Sequence, residues 1–202
     1  MKRVVLASSN AGKLREMSAL LAPLGLELAT QSSLGIHSPP ETGSTFIENA
    51  LIKARHAARA AKLPAISDDS GIEIDALGGR PGVYSARFAG ENASDQDNLH
   101  KLLAELHGVH AEFRQARYHC VIVFVRTAND PEPVIAHGKW EGQITAEPRG
   151  SGGFGYDPIF QPAGLHSTAA QLLPEQKNRI SHRAQALLAL IAELRENGLV
   201  PE

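Results

Sequence analysis

Strand-like and helix-like segments alternate along this sequence. The β-branched run Val4-Val5-Leu6-Ala7 predicts a buried strand, and apolar residues at helical spacing predict a helix over 11–21 that Pro23 ends. The capping box Thr45-Phe46-Ile47-Glu48 predicts a second helix, whose apolar face continues to Ala61. Further elements are expected along the rest of the chain: strands over 65–77, 117–127 and 134–145, and helices over 95–106 and 181–197. This order predicts an α/β fold with a mixed central sheet flanked by helices.

Composition limits the partners of such a fold. The 202 residues suffice for a single domain over 1–202, and 20 Lys and Arg against 22 Asp and Glu give a formal net charge of −2. That balance excludes general electrostatic binding of nucleic acid, but it allows the binding of a small anionic ligand by a few local cations. No run approaches the ~18 apolar residues of a membrane helix. The single Cys120 excludes an intramolecular disulfide and a multi-cysteine zinc site and favours a buried, inert thiol, so we expect a cytoplasmic protein in a reducing compartment.

A polar turn joins the first strand to the first helix: Ser8-Ser9-Asn10-Ala11-Gly12-Lys13. Backbone N–H groups and the helix dipole favour an anion at such a place, and Lys13 adds a full positive charge. The turn is not a Walker A loop, because Ala7 takes the place of the first glycine and Leu14 that of the magnesium-binding hydroxyl. The turn alone is equally compatible with a plain capped connection.

Two adjacent carboxylates, Asp68 and Asp69, follow the start of the second predicted strand. Side chains of neighbouring strand residues point to opposite faces, so both can bind one ion only where the backbone bends, as Gly71 would permit. Another interpretation is a turn with solvated carboxylates. Glu41 adds a carboxylate in a Pro-rich loop, whereas Glu48 is better explained by its capping box than by metal binding.

Glycines surround an aromatic residue in Gly152-Gly153-Phe154-Gly155-Tyr156-Asp157-Pro158. They leave room for a flat ligand to lie against the Phe154 ring. The alternative is a flexible connection whose aromatic residues pack into the core. Tyr118 and Trp140 are predicted to be core residues.

Positive charge gathers at the start of the last predicted helix, in Lys177-Asn178-Arg179-Ile180-Ser181-His182-Arg183. Ser181 is a natural N-cap, which places His182 and Arg183 in the first helical turn. A cation there opposes the helix dipole and needs an anionic or carbonyl partner. The turn of residues 8–13 suits a phosphate group, the acidic residues suit magnesium, and the glycine-framed aromatic ring suits a nucleotide base. Together these residues favour a magnesium-dependent nucleotide site.

Six motifs occur in one order: Ser8-x-Asn10-x-x-Lys13, Glu41-Thr42-Gly43-Ser44-Thr45-Phe46-x-Glu48-Asn49-Ala50, Asp68-Asp69-Ser70-Gly71, Pro81-Gly82-Val83-Tyr84-Ser85-Ala86-Arg87, Gly153-Phe154-Gly155-Tyr156-Asp157-Pro158 and Ser181-His182-Arg183. With these motifs the chain resembles the inosine triphosphate pyrophosphatase family, in particular its bacterial members. The resemblance runs from the first strand to the last helix. Its one visible departure is Ser8, where threonine is commoner, and both residues carry a hydroxyl.

The resemblance implies magnesium-dependent hydrolysis of ITP and XTP, in their ribo and deoxy forms, to the monophosphate and pyrophosphate. Glu41 and Asp69 would hold Mg²⁺, Asp69 would also accept the proton of the attacking water, and Asp68 would support them. Three groups of residues would touch the substrate. The triphosphate would contact Ser8, Ser9, Asn10, Ala11, Gly12 and Lys13, and Ser70 would add a further substrate contact. The base would be surrounded by Phe154, Gly155, Tyr156, Asp157, Lys177, His182 and Arg183.

The resemblance also implies two lobes around a nucleotide cleft and a homodimer. Two other functions stay open at this point. One is a pyrophosphatase of the septum-inhibition (Maf-like) family with other base preferences, although Ser181-His182-Arg183 and the Phe154 motif are not expected there. The other is a nucleotide sensor without turnover, against which the joint presence of Lys13, Glu41 and Asp69 argues.

Overall fold

The computed structural model describes residues 3–200. In this range the strands are β1 (Arg3–Leu6), β2 (Glu27–Thr30), β3 (Ala65–Ile74), β4 (Gln115–Val125), β5 (Val134–Ile144) and β6 (Phe160–Pro162). The helices are α1 (Ala11–Leu21), α2 (Phe46–Ala61), α3 (Asp95–Glu105), α4 (Pro174–Ile180) and α5 (His182–Glu196). Short 3₁₀ turns fill several of the connections.

The strands form a mixed sheet in the order β2-β1-β3-β4-β5-β6, which confirms the predicted α/β class. β1 pairs in parallel with β2 and with β3, whereas β5 and β6 are antiparallel. All the predicted strands and helices are present to within a few residues. Sequence analysis missed β2, β6 and α4, which are only 4, 3 and 7 residues long.

Two of the helices begin at complete capping boxes. In α2 the Thr45 hydroxyl accepts from the Glu48 N–H at 3.2 Å, and Glu48 Oε2 accepts from the Thr45 N–H at 3.1 Å. Ser94 and Asp97 make the same pair of bonds at α3. Because each box satisfies N–H groups that the helix itself leaves unbonded, the chain enters both helices at a defined residue. Glu48 therefore has the capping role predicted for it. Its pKa is lowered mainly by hydrogen bonds from the Ser44 hydroxyl and backbone N–H, and to a smaller extent by those with Thr45.

The chain divides into two compact units. The first unit comprises the chain up to Asp69, Cys120–Gly138 and the part from Arg183 onward. Here β1, β3 and β4 are covered on both faces, because Val5 and Val123 pack with the alanines of α2, whereas Leu6 and Ile122 pack with α1 and α5. Burial on both faces explains the continuous apolar run of β4.

Cys120 lies in this first unit and is 1% exposed. Burial raises the pKa of its thiol to about 12, so the predicted inert, buried cysteine is confirmed. Along residues 3–200, none of the helices combines the length and apolarity that a membrane crossing requires.

The second unit comprises Ser70–His119 and Lys139–His182 and has a core of its own. Its aromatic residues are concentrated at one place, where Tyr118, Trp140 and Phe160 pack together with Tyr156. Tyr118 is 7% and Trp140 is 6% exposed, which confirms both as core residues.

Candidate functional site

The turn between β1 and α1 has the geometry of a capped helix start. Asn10 is the N-cap of α1, and its Oδ1 accepts a hydrogen bond from the Lys13 backbone N–H at 3.0 Å. The Ser8 Oγ accepts from the Asn10 N–H at 3.2 Å, and residues 9–11 are exposed to solvent. The strand, turn and helix predicted here are confirmed. Anion binding by the turn stays a prediction.

The two adjacent carboxylates of β3 contact different helices. The Asp68 Oδ2 is 2.9 Å from the Lys13 Nζ of α1, and the Asp69 Oδ1 is 2.7 Å from the Lys53 Nζ of α2. This is the alternation expected of neighbouring strand residues. Asp68 is 1% and Asp69 is 5% exposed, so the interpretation as solvated carboxylates in a turn is wrong.

Arg183, in the first turn of α5, contacts two acidic side chains. Its Nε and Nη2 donate to the Asp68 Oδ2 at 3.4 and 3.3 Å, and its Nη1 donates to the Glu16 Oε2. The predicted requirement for an anionic partner is therefore met. Burial alone would raise the pKa of Asp68, but Lys13 and Arg183 hold it well below its ordinary value, so Asp68 stays ionised.

Lys53 links the two carboxylates to which the family resemblance assigns metal binding. Its Nζ donates to the Glu41 Oε1 and to the Asp69 Oδ1, each at 2.7 Å, and the residue is 8% exposed. Sequence analysis missed Lys53, although a signal was present. Lys53 lies three residues after Ala50 and four before Ala57, which places it on the buried face of α2.

Asp69 has one carboxylate oxygen that its neighbours do not satisfy. Its Oδ2 is buried and has no hydrogen-bond partner among residues 3–200. Burial raises the pKa of Asp69, and the opposing attraction of Lys53 and Lys13 is smaller. A buried oxygen without a partner is costly, so this atom suits a ligand, a metal ion or a water molecule.

The donor set around Asp69 fits a hard divalent cation. Glu41 and Asp69 each place an oxygen 2.7 Å from one Nζ, so the two carboxylates converge. Within the described part of the chain, no three His, Cys, Asp or Glu side chains gather as a ready-made metal cage. Mg²⁺ is commonly bound by one or two carboxylates together with substrate phosphates and water, which is the arrangement that these residues allow.

We call these charged residues the ionic cluster. Its members are Lys13, Glu16, Glu41, Lys53, Asp68, Asp69 and Arg183. Four carboxylates meet three cations, so the formal charge of the cluster is −1. A bound divalent cation would reverse that sign and make the cluster attractive to a polyanion.

In the second unit, Asp157 organises the glycine-framed segment. Its Oδ2 accepts from the Lys177 Nζ at 2.6 Å and from the Phe154 N–H at 2.9 Å. The Lys177 Nζ also lies 4.8 Å from the centre of the half-buried Phe154 ring. Gly153 has a φ of +71°, and a Cβ there would lie 2.0 Å from the Asp157 Oδ2, so only glycine fits.

His182, the first residue of α5, is 4% exposed and lies flat against an aromatic ring. Its imidazole is parallel to the Tyr118 ring, with centroids 4.5 Å apart and an interplanar angle of 5°. The Trp140 ring is 6.3 Å from His182 at an angle of 22°. We call the residues around this stack the aromatic cluster: Tyr118, Trp140, Phe154, Tyr156, Phe160 and His182, together with Asp157 and Lys177.

The remaining sequence-predicted residues of this unit have different settings. Tyr156 is 4% exposed and its hydroxyl donates to the Ser85 carbonyl at 2.8 Å, so its side chain packs inward. The Gly155 N–H donates to the Asp95 carboxylate at 2.8 Å. Ser70 follows Asp69 on β3 and is half-buried. Tyr118 was not among the predicted site residues.

Comparison with known proteins finds similar sequences and similar solved structures. The model of the Ham1 family matches residues 4–193. The dITP/XTP pyrophosphatase of Shigella flexneri is 58% identical over 98% of this chain and 100% of its own length, and that of Escherichia coli (strain K12) is 56% identical over the same shares. The solved structure of a HAM1 protein from Coxiella burnetii is 50% identical and has a TM-score of 0.89, covering 97% of this chain and 100% of that one.

These matches span nearly the whole chain at an identity at which family membership is secure. They confirm the resemblance that the six ordered motifs indicated, and the fold agrees with that of the solved relatives. The chain belongs to the Ham1 family.

Proposed function

We propose that this chain hydrolyses non-standard purine nucleoside triphosphates, the ribo and deoxy forms of ITP and XTP, to the monophosphate and pyrophosphate. The observation that carries the proposal is the convergence of Glu41 and Asp69 on Lys53 in the ionic cluster. The names of relatives such as the Shigella flexneri dITP/XTP pyrophosphatase support the substrate class.

Glu41 and Asp69 would hold Mg²⁺. The buried and unsatisfied Asp69 Oδ2 supports this assignment, as does the formal charge of −1 on the ionic cluster. When bound, the ion supplies stabilisation for the negative charge that develops on the departing pyrophosphate. Lys53 already holds both carboxylates toward one point, so little rearrangement of the chain is required.

Asp69 would act as the general base. Water attacks the α-phosphorus, a new P–O bond forms, the bond to the bridging oxygen breaks, and the proton of the water passes to the Asp69 carboxylate. A pKa raised by burial favours proton acceptance, while the Lys53 ammonium fixes the orientation of the carboxylate by binding its other oxygen. Asp68 would not compete for the proton, because its pKa is held low.

The turn of residues 8–13 would bind the triphosphate. The start of α1 directs backbone N–H groups to one place, and Lys13 contributes a cation whose Nζ Asp68 positions. Ser70 would add a hydroxyl contact. The net charge of −2 on the chain fits a single small polyanion better than a nucleic acid.

Phe154 would stack on the purine, with Gly155, Tyr156 and Asp157 completing that wall and Lys177, His182 and Arg183 approaching the base edge. Hypoxanthine and xanthine carry an oxygen at C6, where adenine carries an amino group. Donors such as His182 pair with that oxygen and leave the amino group unmatched, which discriminates strongly in a buried site. The bonds from Asp157 to Lys177 and to the Phe154 backbone support a preformed base wall.

The test is an assay of the purified protein with ITP, XTP, ATP and GTP, with and without Mg²⁺, measuring pyrophosphate and orthophosphate separately. We expect rapid pyrophosphate release from ITP and XTP with Mg²⁺ and little from ATP. Binding of ITP without pyrophosphate release would indicate a sensor. Preferential hydrolysis of other bases would indicate Maf-like specificity.

A homodimer and a cytoplasmic location complete the proposal. The dimer rests on the family resemblance, and the location rests on the nucleotide pool as the source of substrate. Light scattering of the purified protein, together with fractionation of cells that express it, measures both properties.

A further inference from the structure

One aromatic residue outside the predicted site lies against a residue inside it. Tyr118 is on β4 and His182 begins α5, and their rings are parallel at 4.5 Å with an interplanar angle of 5°. Parallel stacking at this centroid distance is one of the preferred geometries of aromatic pairs, and close contact with the flat Tyr118 ring restricts how the imidazole can turn. Rotation of the His182 side chain about its χ2 angle would break the contact.

The Tyr118 ring is itself held in place. Phe160 contacts it edge-on at 4.7 Å and 68°, and Trp140 packs on Phe160 at 5.3 Å. Tyr118 is 7% exposed, so its ring is part of the packed core of the second unit. A side chain fixed in this way presents a rigid surface to His182.

Tyr118 also reaches the other polar group of the aromatic cluster. Its hydroxyl lies 3.4 Å from the Asp157 Oδ1, and Asp157 Oδ2 in turn binds the Lys177 Nζ and the Phe154 N–H. At 3.4 Å this hydrogen bond is long and therefore weak. The ring face, in contrast, is in close contact with His182.

We infer that Tyr118 is a positioning residue for base selection, whose ring fixes the orientation of the His182 imidazole toward the purine. This inference rests on the proposed function, because it assigns to His182 the contact with the base edge. Tyr118 does not touch the substrate in this account. It acts through His182, and its ring rather than its hydroxyl carries the effect.

The test compares Tyr118→Phe with Tyr118→Leu, and Tyr84→Leu serves as the control because Tyr84 is a 56% exposed tyrosine of the same unit. The readout is the ratio of kcat/KM for ITP to that for ATP. We expect Tyr118→Phe and Tyr84→Leu to keep the wild-type ratio. Tyr118→Leu should reduce it roughly 3- to 10-fold, mainly through KM for ITP, which is the scale of one aromatic contact.

A purely structural role of Tyr118 predicts a different result. Tyr118→Leu would then lower the melting temperature and change activity toward ITP and ATP alike, which would overturn the inference. If Tyr118→Leu does not fold, Tyr118→Met replaces it, since methionine fills the space without a flat face. An unchanged ratio in that variant also overturns the inference.

Histidine-selective ¹³C NMR gives a readout that needs no substrate. The Tyr118 ring current should shift the His182 ring C–H signals upfield, and His182→Gln assigns them by their loss. We expect Tyr118→Phe to preserve the shift and Tyr118→Leu to abolish it. Unshifted His182 signals in the wild type would contradict the stack itself.

The two proposals fail separately. A wild-type protein that releases no pyrophosphate from ITP refutes the proposed function, whatever the NMR spectrum shows. In the other case, the wild type hydrolyses ITP selectively, and Tyr118→Leu is equally selective although its His182 signals have lost the upfield shift. That result refutes only the role of Tyr118.

Discussion

The ionic cluster and the aromatic cluster are both buried, but they are held together by opposite means. In the ionic cluster each side chain is fixed by a partner of opposite charge, as Lys53 is by Glu41 and Asp69. In the aromatic cluster packing fixes the rings, and one ion pair, between Lys177 and Asp157, anchors the segment around Phe154. Charge partners can be exchanged for ligand atoms, whereas packed rings cannot move without losing contacts.

Because of this difference, we expect changes in the two clusters to affect different kinetic parameters. In the proposed function, changes to the ionic cluster alter charge at the reacting phosphate and should lower kcat, because such interactions matter most in the transition state. Changes to the aromatic cluster alter how well a base is held and should affect KM and base preference. The following three variants test that division.

The largest effect is expected for Asp69→Asn. Asparagine keeps the shape of the side chain but removes the carboxylate that we propose as base and metal ligand, so kcat for ITP should fall by about 10³-fold or more. Isothermal titration without Mg²⁺ should show that nucleotide binding largely survives. Asp130→Asn is the matched control, since Asp130 is a 2% exposed carboxylate of the same unit that binds Arg126. Turnover near the wild-type rate in Asp69→Asn would remove Asp69 from the mechanism.

Phe154→Ala changes the aromatic cluster and should therefore affect KM. Loss of a stacking ring costs about 1–3 kcal/mol per base, so KM should rise roughly 5- to 150-fold for every purine triphosphate, with kcat less affected. Phe113→Ala, at a 58% exposed phenylalanine of the same unit, controls for the loss of a ring as such. Steady-state kinetics with ITP and XTP measure both parameters. A fall in kcat alone would show that the division is wrong.

Arg183→Ala gives the smallest and most discriminating effect, because Arg183 belongs to the ionic cluster and is proposed to approach the base edge. We expect kcat/KM to fall roughly 10-fold more for ITP than for ATP, the scale of one polar base contact. Arg126→Ala, a half-exposed arginine of the same unit, is the control. Equal losses of kcat/KM for ITP and ATP would show that Arg183 acts through its contacts with Asp68 and Glu16 and not through the base.

Local sequence signals predicted the larger elements but not the small ones. The capping box at Thr45 and the apolar run of β4 define their elements without help from distant residues. The strand β2 has only four residues and forms because β1 lies beside it, and β6 has three and pairs with β5. Pairing with a distant strand leaves little trace in so short a segment.

The candidate site shows the same limit. Asp69 and Phe154 stand in motifs that could be read along the chain. Lys53, Glu16 and Tyr118 do not, because their importance comes from contacts across 16, 167 and 64 residues of chain, to Asp69, Arg183 and His182 respectively. Such contacts become visible only when the fold is known. Lys53 alone carried a usable signal, as a lysine on the alanine face of α2.

The pair Asp68 and Asp69 has a consequence for assembly of the protein. A shift of β3 by a single residue would move one aspartate into the place of the other and a serine into the remaining place, so that either Lys13 or Lys53 would lose its aspartate partner. The slipped chain would also bury charges without compensation, which is strongly unfavourable. Correct strand alignment thus depends on the same two residues to which the proposed mechanism assigns a role, and we expect a misaligned copy to be inactive as well as unstable.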